Sequence, residues 1–186
     1  MAVKNYAGAA SADDALDDNG TVTLNGTAIS LNSVLRYGGL SFDTSADPLA
    51  QGAAIASAIL TLTMVVAWTG NHTWKGHKVT NSAQFTTGAS NVSSRYTGAP
   101  TTASVTDTSS SGSAGTNTID VTAIVQELVN QAGWTSSSRI TLVAKANAGN
   151  AYQFRAYDYG SNYATLVVTT AEGAAVKMRH YLDMMR

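Results

Sequence analysis

The sequence contains no cysteine, which removes disulfides, thiol nucleophiles and thiolate metal sites together. Charge is scarce as well. Only 12% of the 186 residues are Asp, Glu, Lys or Arg, and the formal net charge is -1. An ordinary chain carries about a quarter. There is thus no basic footprint for nucleic acid or for an acidic membrane surface, and neither is expected as a partner. Glu127 and Glu172 are the only glutamates, and His72, His77 and His180 the only histidines. The N-terminal stretch MAVKNYAGAASADDALDD lacks an apolar signal core and soon turns acidic, so no cleaved secretion signal is expected. The longest apolar run, AAIASAILTLTMVVAW, is broken by Ser57, Thr61 and Thr63 and falls short of the roughly 20 residues a spanning helix needs.

These gaps bear on enzymatic chemistry. A hydrolytic triad needs Ser, His and a carboxylate to converge, and no G-x-S-x-G elbow occurs. Glycoside hydrolysis needs two paired carboxylates, and nothing in the sequence pairs Asp107 or Asp158 with another acid. Phosphate-binding glycine loops and dinucleotide fingerprints are missing. The expectation is a protein that is not an enzyme.

What abounds is Ser, Thr, Gly and Ala, beside 44% hydrophobic residues. That is enough to bury one domain's core under a hydroxyl-covered surface, as in an all-β protein. One helix stands out. In IDVTAIVQELVNQAGW, Val121, Ile124, Val125, Leu128, Val129 and Ala132 recur at steps of three and four, which predicts a helix over Thr122–Ala132. Asp120 or Thr122 would cap its start. Gly133 would end it in the left-handed region, and Trp134 would fold back onto Val129. Alternating runs follow. Ile140, Leu142 and Ala144 share one face, as do Tyr152, Phe154 and Ala156, and ATLVVTT makes a further strand. Ala53–Trp68 is the longest strand candidate, with Ala58, Leu60, Leu62, Met64, Val66 and Trp68 facing the core.

Asn25-Gly26 lies between Thr21–Leu24 and Thr27–Leu31 and gives the strongest hairpin signal. Ser33–Asp43 reads as the next strand, where Gly38-Gly39 admits a bulge or a close approach of another backbone. Residues 69–118 read as looser: GNHTWKGH as a polar turn cluster, NSAQFTT and TTASVTD as short strands, TSSSGSAGTNT as a flexible loop. His72 and His77 are expected to be solvated loop histidines, a third metal ligand being absent.

Residues 1–18 read as a solvated N-terminal arm carrying Asp13, Asp14, Asp17 and Asp18. Residues 19–170 form the β module, and residues 171–186 a C-terminal helical arm outside it. That last helix would be marginal alone, because nucleation costs more than so few bonds return. Its apolar stripe, with Met178, Tyr181, Leu182 and Met185, is expected to serve assembly, against a neighbouring copy or another shell protein.

Six pieces in order, SADDALDDNGTVTL, YGGLSFD, AQGAAIASAILTLT, TTASV, IDVTAIVQELVNQAGW and YDYGSNYATLVVT, resemble the DNRLRE-type domains of bacterial and phage proteins, a group close to certain carbohydrate-binding modules. The likeness covers about residues 11–170, and IVQELVNQAGW is its most specific part. It implies a mainly β, jelly-roll-like β-sandwich with one short core helix and no catalytic activity. It also implies an adhesive, carbohydrate-binding or structural role. The lack of a secretion signal, attached enzyme or anchor favours a self-assembling particle. The expected setting is therefore a phage virion, made in the host cytoplasm. There the chain would be a capsid decoration (cement) or tail-associated protein, in contact with copies of itself and other virion proteins.

Two ligand classes accompany that expectation. Sandwich modules of this general kind often hold calcium near their ends, and Asp13, Asp14 and Asp158 supply oxygens of the right type. No other cofactor is expected. Glycan binding needs flat aromatic rings beside polar groups, for which Trp74, Tyr96 and Tyr157 are candidates. Gln153 and Arg155 lie with Tyr157 on the strand face opposite Tyr152 and Phe154. That face suits glycan recognition, a neighbouring subunit, or plain solvent.

Overall fold

The structure, a computed structural model, describes residues 1–171. Strands β1 (Ala2–Ala7), β2 (Asp14–Asp18), β3 (Thr21–Thr23), β4 (Ala28–Ser30) and β5 (Arg36–Asp43) precede the long strand β6 (Ile55–Met64). Then come β7 (Trp68–Thr69), β8 (His72–His77), the short helix α1 (Ser93–Gly98), β9 (Pro100–Asp107), β10 (Ser110–Ser111) and β11 (Gly115–Asp120). Helix α2 (Thr122–Val129) leads to β12 (Arg139–Ala146), β13 (Gln153–Arg155) and β14 (Thr165–Thr170).

Two six-stranded antiparallel sheets face each other. The first runs β1-β14-β6-β13-β4, with β11 also on β6; the second runs β3-β2-β5-β12-β8-β9. Leu60 registers with both Ile119 and Leu166, so β11 and β14 flank β6 on opposite sides. Alternation builds the interior. Leu60, Leu62, Met64, Phe154, Leu166 and Val168 of the first sheet share one core with Leu40, Phe42, Trp74, Ile140, Leu142 and Ala144 of the second. The mainly β fold expected from the alternating runs is the fold observed.

Helix α2 adds Ile124, Val125, Leu128 and Val129 to that core. Asp120 Oδ1 accepts the Thr122 N–H at 2.9 Å, while Thr122 Oγ1 accepts the Ala58 N–H at 2.8 Å and ties the helix to β6. The helix stops at Val129, short of Ala132, which is exposed. Gly133 takes φ 91°, and Trp134 is buried with its indole N–H donating to the Leu49 carbonyl.

Several expectations need correcting. Residues 1–18 are not a solvated arm: β1 pairs with β14, β2 pairs with β5, and Asp13, Asp14 and Asp17 are buried. Asn25-Gly26 closes no hairpin. The hairpin is β2–β3, whose two-residue turn is Asn19-Gly20 with φ 51° and 92°, while β4 crosses to pair with β13 in the other sheet. The strand from Ala53 ends at Met64, which leaves Val66 exposed. GNHTWKGH is an interior strand, β8, between β12 and β9. TSSSGSAGTNT contains β10 and most of β11, and NSAQFTT is not a strand. The Gly38-Gly39 pair shows no bulge. It admits side chains rather than backbone: a Cβ at Gly39 would lie 2.3 Å from the Phe85 ring, and one at Gly38 2.9 Å from Ile29 Cγ2. The helix expected beyond residue 171, with Met178, Tyr181, Leu182 and Met185, lies outside the described residues.

Candidate functional site

The sandwich collects its polar chemistry in three places. The first is an acidic junction. Asp13 closes a 3-10 turn (Ser11–Asp13), Asp14 opens β2, and Asp158 lies in a second 3-10 turn (Tyr157–Tyr159). The expected trio therefore does come together. Asp13 Oδ1 accepts from Arg139 and from Gln84 Nε2, and its Oδ2 accepts the Ala9 N–H at 2.8 Å. Asp14 Oδ2 accepts the Tyr157 N–H. Asp158 Oδ1 accepts from Ser11 Oγ at 2.9 Å, and its Oδ2 is buried without a hydrogen-bond partner. Burial pushes the Asp14 carboxyl up to about 7; the Tyr157 N–H works against this, and the Asp158 and Asp13 charges reinforce it. Of the three carboxyls, Asp13 is the one paired with the Arg139 guanidinium, which also reaches Asp43. Among the described residues no group of three or more His, Cys, Asp or Glu is arranged to hold a metal. A calcium ion here would compete with Arg139 for Asp13.

The second place is buried. His72 is not a loop histidine: it is fully buried, stacks on Tyr152 with ring centroids 4.0 Å apart, and its Nε2 lies 2.7 Å from the Leu31 carbonyl. Nδ1 accepts the Asn71 N–H, so Nε2 carries the proton and donates. Burial holds this imidazole below its ordinary value. Asp107 Oδ2 accepts from Tyr152 and from Asn117 Nδ2, and its Oδ1 from Ser109 Oγ. His77 bonds Ser82 at 2.8 Å, and burial, with Arg95 adding, lowers it to about 4. The two histidines fall on opposite faces of β8 and share no ligand.

The third place is the outer face of the second sheet. Part of it lies beneath the segment carrying α1, where Phe85, Val92 and Val143 form a small second core with Ala15 and Val22. Arg95 locks that segment by donating to the Ala83 and Gln84 carbonyls, and its guanidinium lies 4.4 Å from the Phe85 ring centre. Asp17 accepts the N–H groups of Gly20 and Ser93, binding the β2–β3 turn to α1. Between turn and helix runs an open groove of about 470 Å³, where Tyr37, Asn19, Ser93, Ser94 and Thr97 contribute polar groups. Tyr37 meets Tyr96 edge to face at 5.5 Å. Lys75 Nζ lies 4.9 Å from the Tyr96 ring centre and Lys145 Nζ 5.8 Å from that of Tyr37.

The five expected glycan residues are thus not one site. Trp74 is fully buried beside Phe154 and offers no face to a ligand. Tyr96 belongs to the outer face just described. Gln153, Arg155 and Tyr157 lie at the first sheet, where the Arg155 guanidinium sits 4.1 Å from the Tyr159 ring centre and Tyr157 pairs with Tyr163. Sequence reasoning missed Tyr37, Lys75 and Lys145. The signal existed in the odd positions of β8 and β12, but GNHTWKGH had to be read as a strand first.

No family model matches the chain, and the search of curated proteins finds no match. No helix among the described residues is long and apolar enough to cross a membrane.

Proposed function

We propose that the chain is a non-enzymatic structural module of a virion, a capsid decoration (cement) or tail-associated protein built on a β-sandwich. The observation that carries this reading is how the buried charges are used. Asp13, Asp14, Asp17 and Asp107 are each bonded to segments remote in sequence, and Arg95 ties α1 to the Ala83 and Gln84 carbonyls. Groups that an active site would aim at a substrate instead brace a frame. Sparse charge suits lateral packing against other shell proteins, since charged residues are depleted from interface cores. The test is size-exclusion chromatography with light scattering and negative-stain microscopy, on the full chain and on a chain ending at Ala171. Discrete oligomers or decorated particles from the full chain are expected; a strictly monomeric chain that decorates nothing overturns the reading.

A second reading, glycan recognition, is favoured by the groove beside Tyr37 and Tyr96. Its hydroxyls and aromatic wall are the complement a sugar requires.

A further inference from the structure

We propose that the outer face of the second sheet binds an acidic oligosaccharide, with Lys75 and Lys145 receiving its carboxylate or sulfate groups beside the Tyr37–Tyr96 pair. This rests on the glycan reading above and adds the class of sugar and the residues that select it.

Register places the groups. Tyr37 on β5 faces Lys145 on β12, and Lys145 faces Thr73 on β8. Thr73 in turn faces Thr106 on β9, so one row crosses four adjacent strands on a single face. Lys75 is two residues along β8 on that same face. Neighbouring strands lie about 4.8 Å apart, so both ammonium groups stand within the span of one or two sugar rings.

Lys4 pairs with Asp47, Arg36 with Asp18, Lys78 with Glu127, and Arg139 with Asp13 and Asp43. Among the described residues Lys75 and Lys145 form no ion pair, as is also true of Arg95, which is spent on the Ala83 and Gln84 carbonyls, and of Arg155, which lies over Tyr159 at the first sheet; the two lysines are the pair that falls on this one face. Each stands over a tyrosine ring. The nearby buried acid, Asp17, is already engaged by Gly20 and Ser93. Among the described residues, two cations therefore stand together on one face with no carboxylate opposite them.

The surroundings favour a sugar over other anions. Thr73 and Thr106 hydroxyls lie 3.0 Å apart, Asn147 Nδ2 donates to Thr73, and the groove continues past Tyr37 with the hydroxyls of Ser93, Ser94 and Thr97. These alternate donors and acceptors match a polyol. Tyr37 is the residue shared by that groove and the row that carries Lys145. Two lysines in a chain of net charge -1 are too few for the phosphate contacts on which nucleic-acid binding depends.

The test is isothermal titration of the full chain with three hexasaccharides: oligogalacturonate, chondroitin sulfate and neutral maltohexaose. At least one acidic hexamer should bind, maltohexaose should not, and Lys75→Gln and Lys145→Gln should each weaken binding about tenfold, with high salt doing the same. Melting curves of both variants confirm that they fold. Maltohexaose binding as well as the acidic sugars, or affinity unchanged in both variants, overturns this inference and leaves glycan recognition standing. No binding by any of the three overturns both.

Discussion

Replacing Asp14 with asparagine should stabilise this protein at neutral and alkaline pH, although it removes a buried, hydrogen-bonded side chain. Asp14 is 5% exposed, accepts the Tyr157 N–H, and has Asp158 and Asp13 close enough to repel it. Its carboxyl moves from an ordinary 3.8 to about 7, chiefly through burial. At about 1.4 kcal/mol per tenfold change in proton affinity, ionising it in the fold costs on the order of 4 kcal/mol. The sign follows from the raised value. Below the unfolded value both states are protonated and the group is neutral to stability. As pH rises from about 4 to about 7 the unfolded chain ionises first, and stability is lost until the folded carboxyl also ionises. The Asp14→Asn side chain would keep an amide oxygen for the Tyr157 N–H and never charge. Chemical denaturation of both proteins should show little difference at pH 4. The gap should widen to a few kcal/mol in favour of the variant by pH 8. His72 and His77, buried neutral, pull the other way as pH falls below 6.5, but they share no hydrogen-bond partner with Asp14 and cancel in the difference. A variant less stable than the parent at pH 8, or a gap that does not change with pH, refutes the reasoning.

Leu128→Ala should cost about 2–5 kcal/mol by opening the core under α2. Gln126→Ala should cost about 1–3 kcal/mol, since it leaves the Ile55 N–H and Ala53 carbonyl without their partner; a silent Gln126→Ala in urea melts would show that this flank is idle. Gly39→Ala should destabilise by about 1–3 kcal/mol, because its methyl meets the Phe85 ring, whereas Gly112→Ala meets nothing and should be neutral; equal melting temperatures would contradict the packing. Excess EDTA or added calcium should leave the melting temperature unchanged, with Arg139 already on Asp13; a rise with calcium would show that the ion displaces it.

Some of this protein was settled by its sequence alone. The alternation from Ala58 to Met64 and the stripe from Val121 to Val129 set each element's type and buried face, because burial at a period of 2 or 3.6 leaves its own signature. Strand partners leave none. Asn19-Gly20 and Asn25-Gly26 carry the same turn chemistry, yet only the first closes a hairpin. Around the second, Ile29 is drawn into the other sheet opposite Phe154, a residue far along the chain. The acidic N-terminal run looks solvated until Arg139 and the Tyr157 and Ser93 N–H groups arrive from remote segments to receive it. His72 and Trp74 look like a polar loop because a histidine signals solvent unless a carbonyl and a ring are supplied, here by Leu31 and Tyr152. The outer face is the clearest case. Tyr37, Lys75, Tyr96 and Lys145 are spread over more than a hundred residues, and only the β5–β12–β8 register sets them side by side. Local preference acts over a few residues, whereas a compensated buried charge or a row of side chains across a sheet exists only once distant strands have paired.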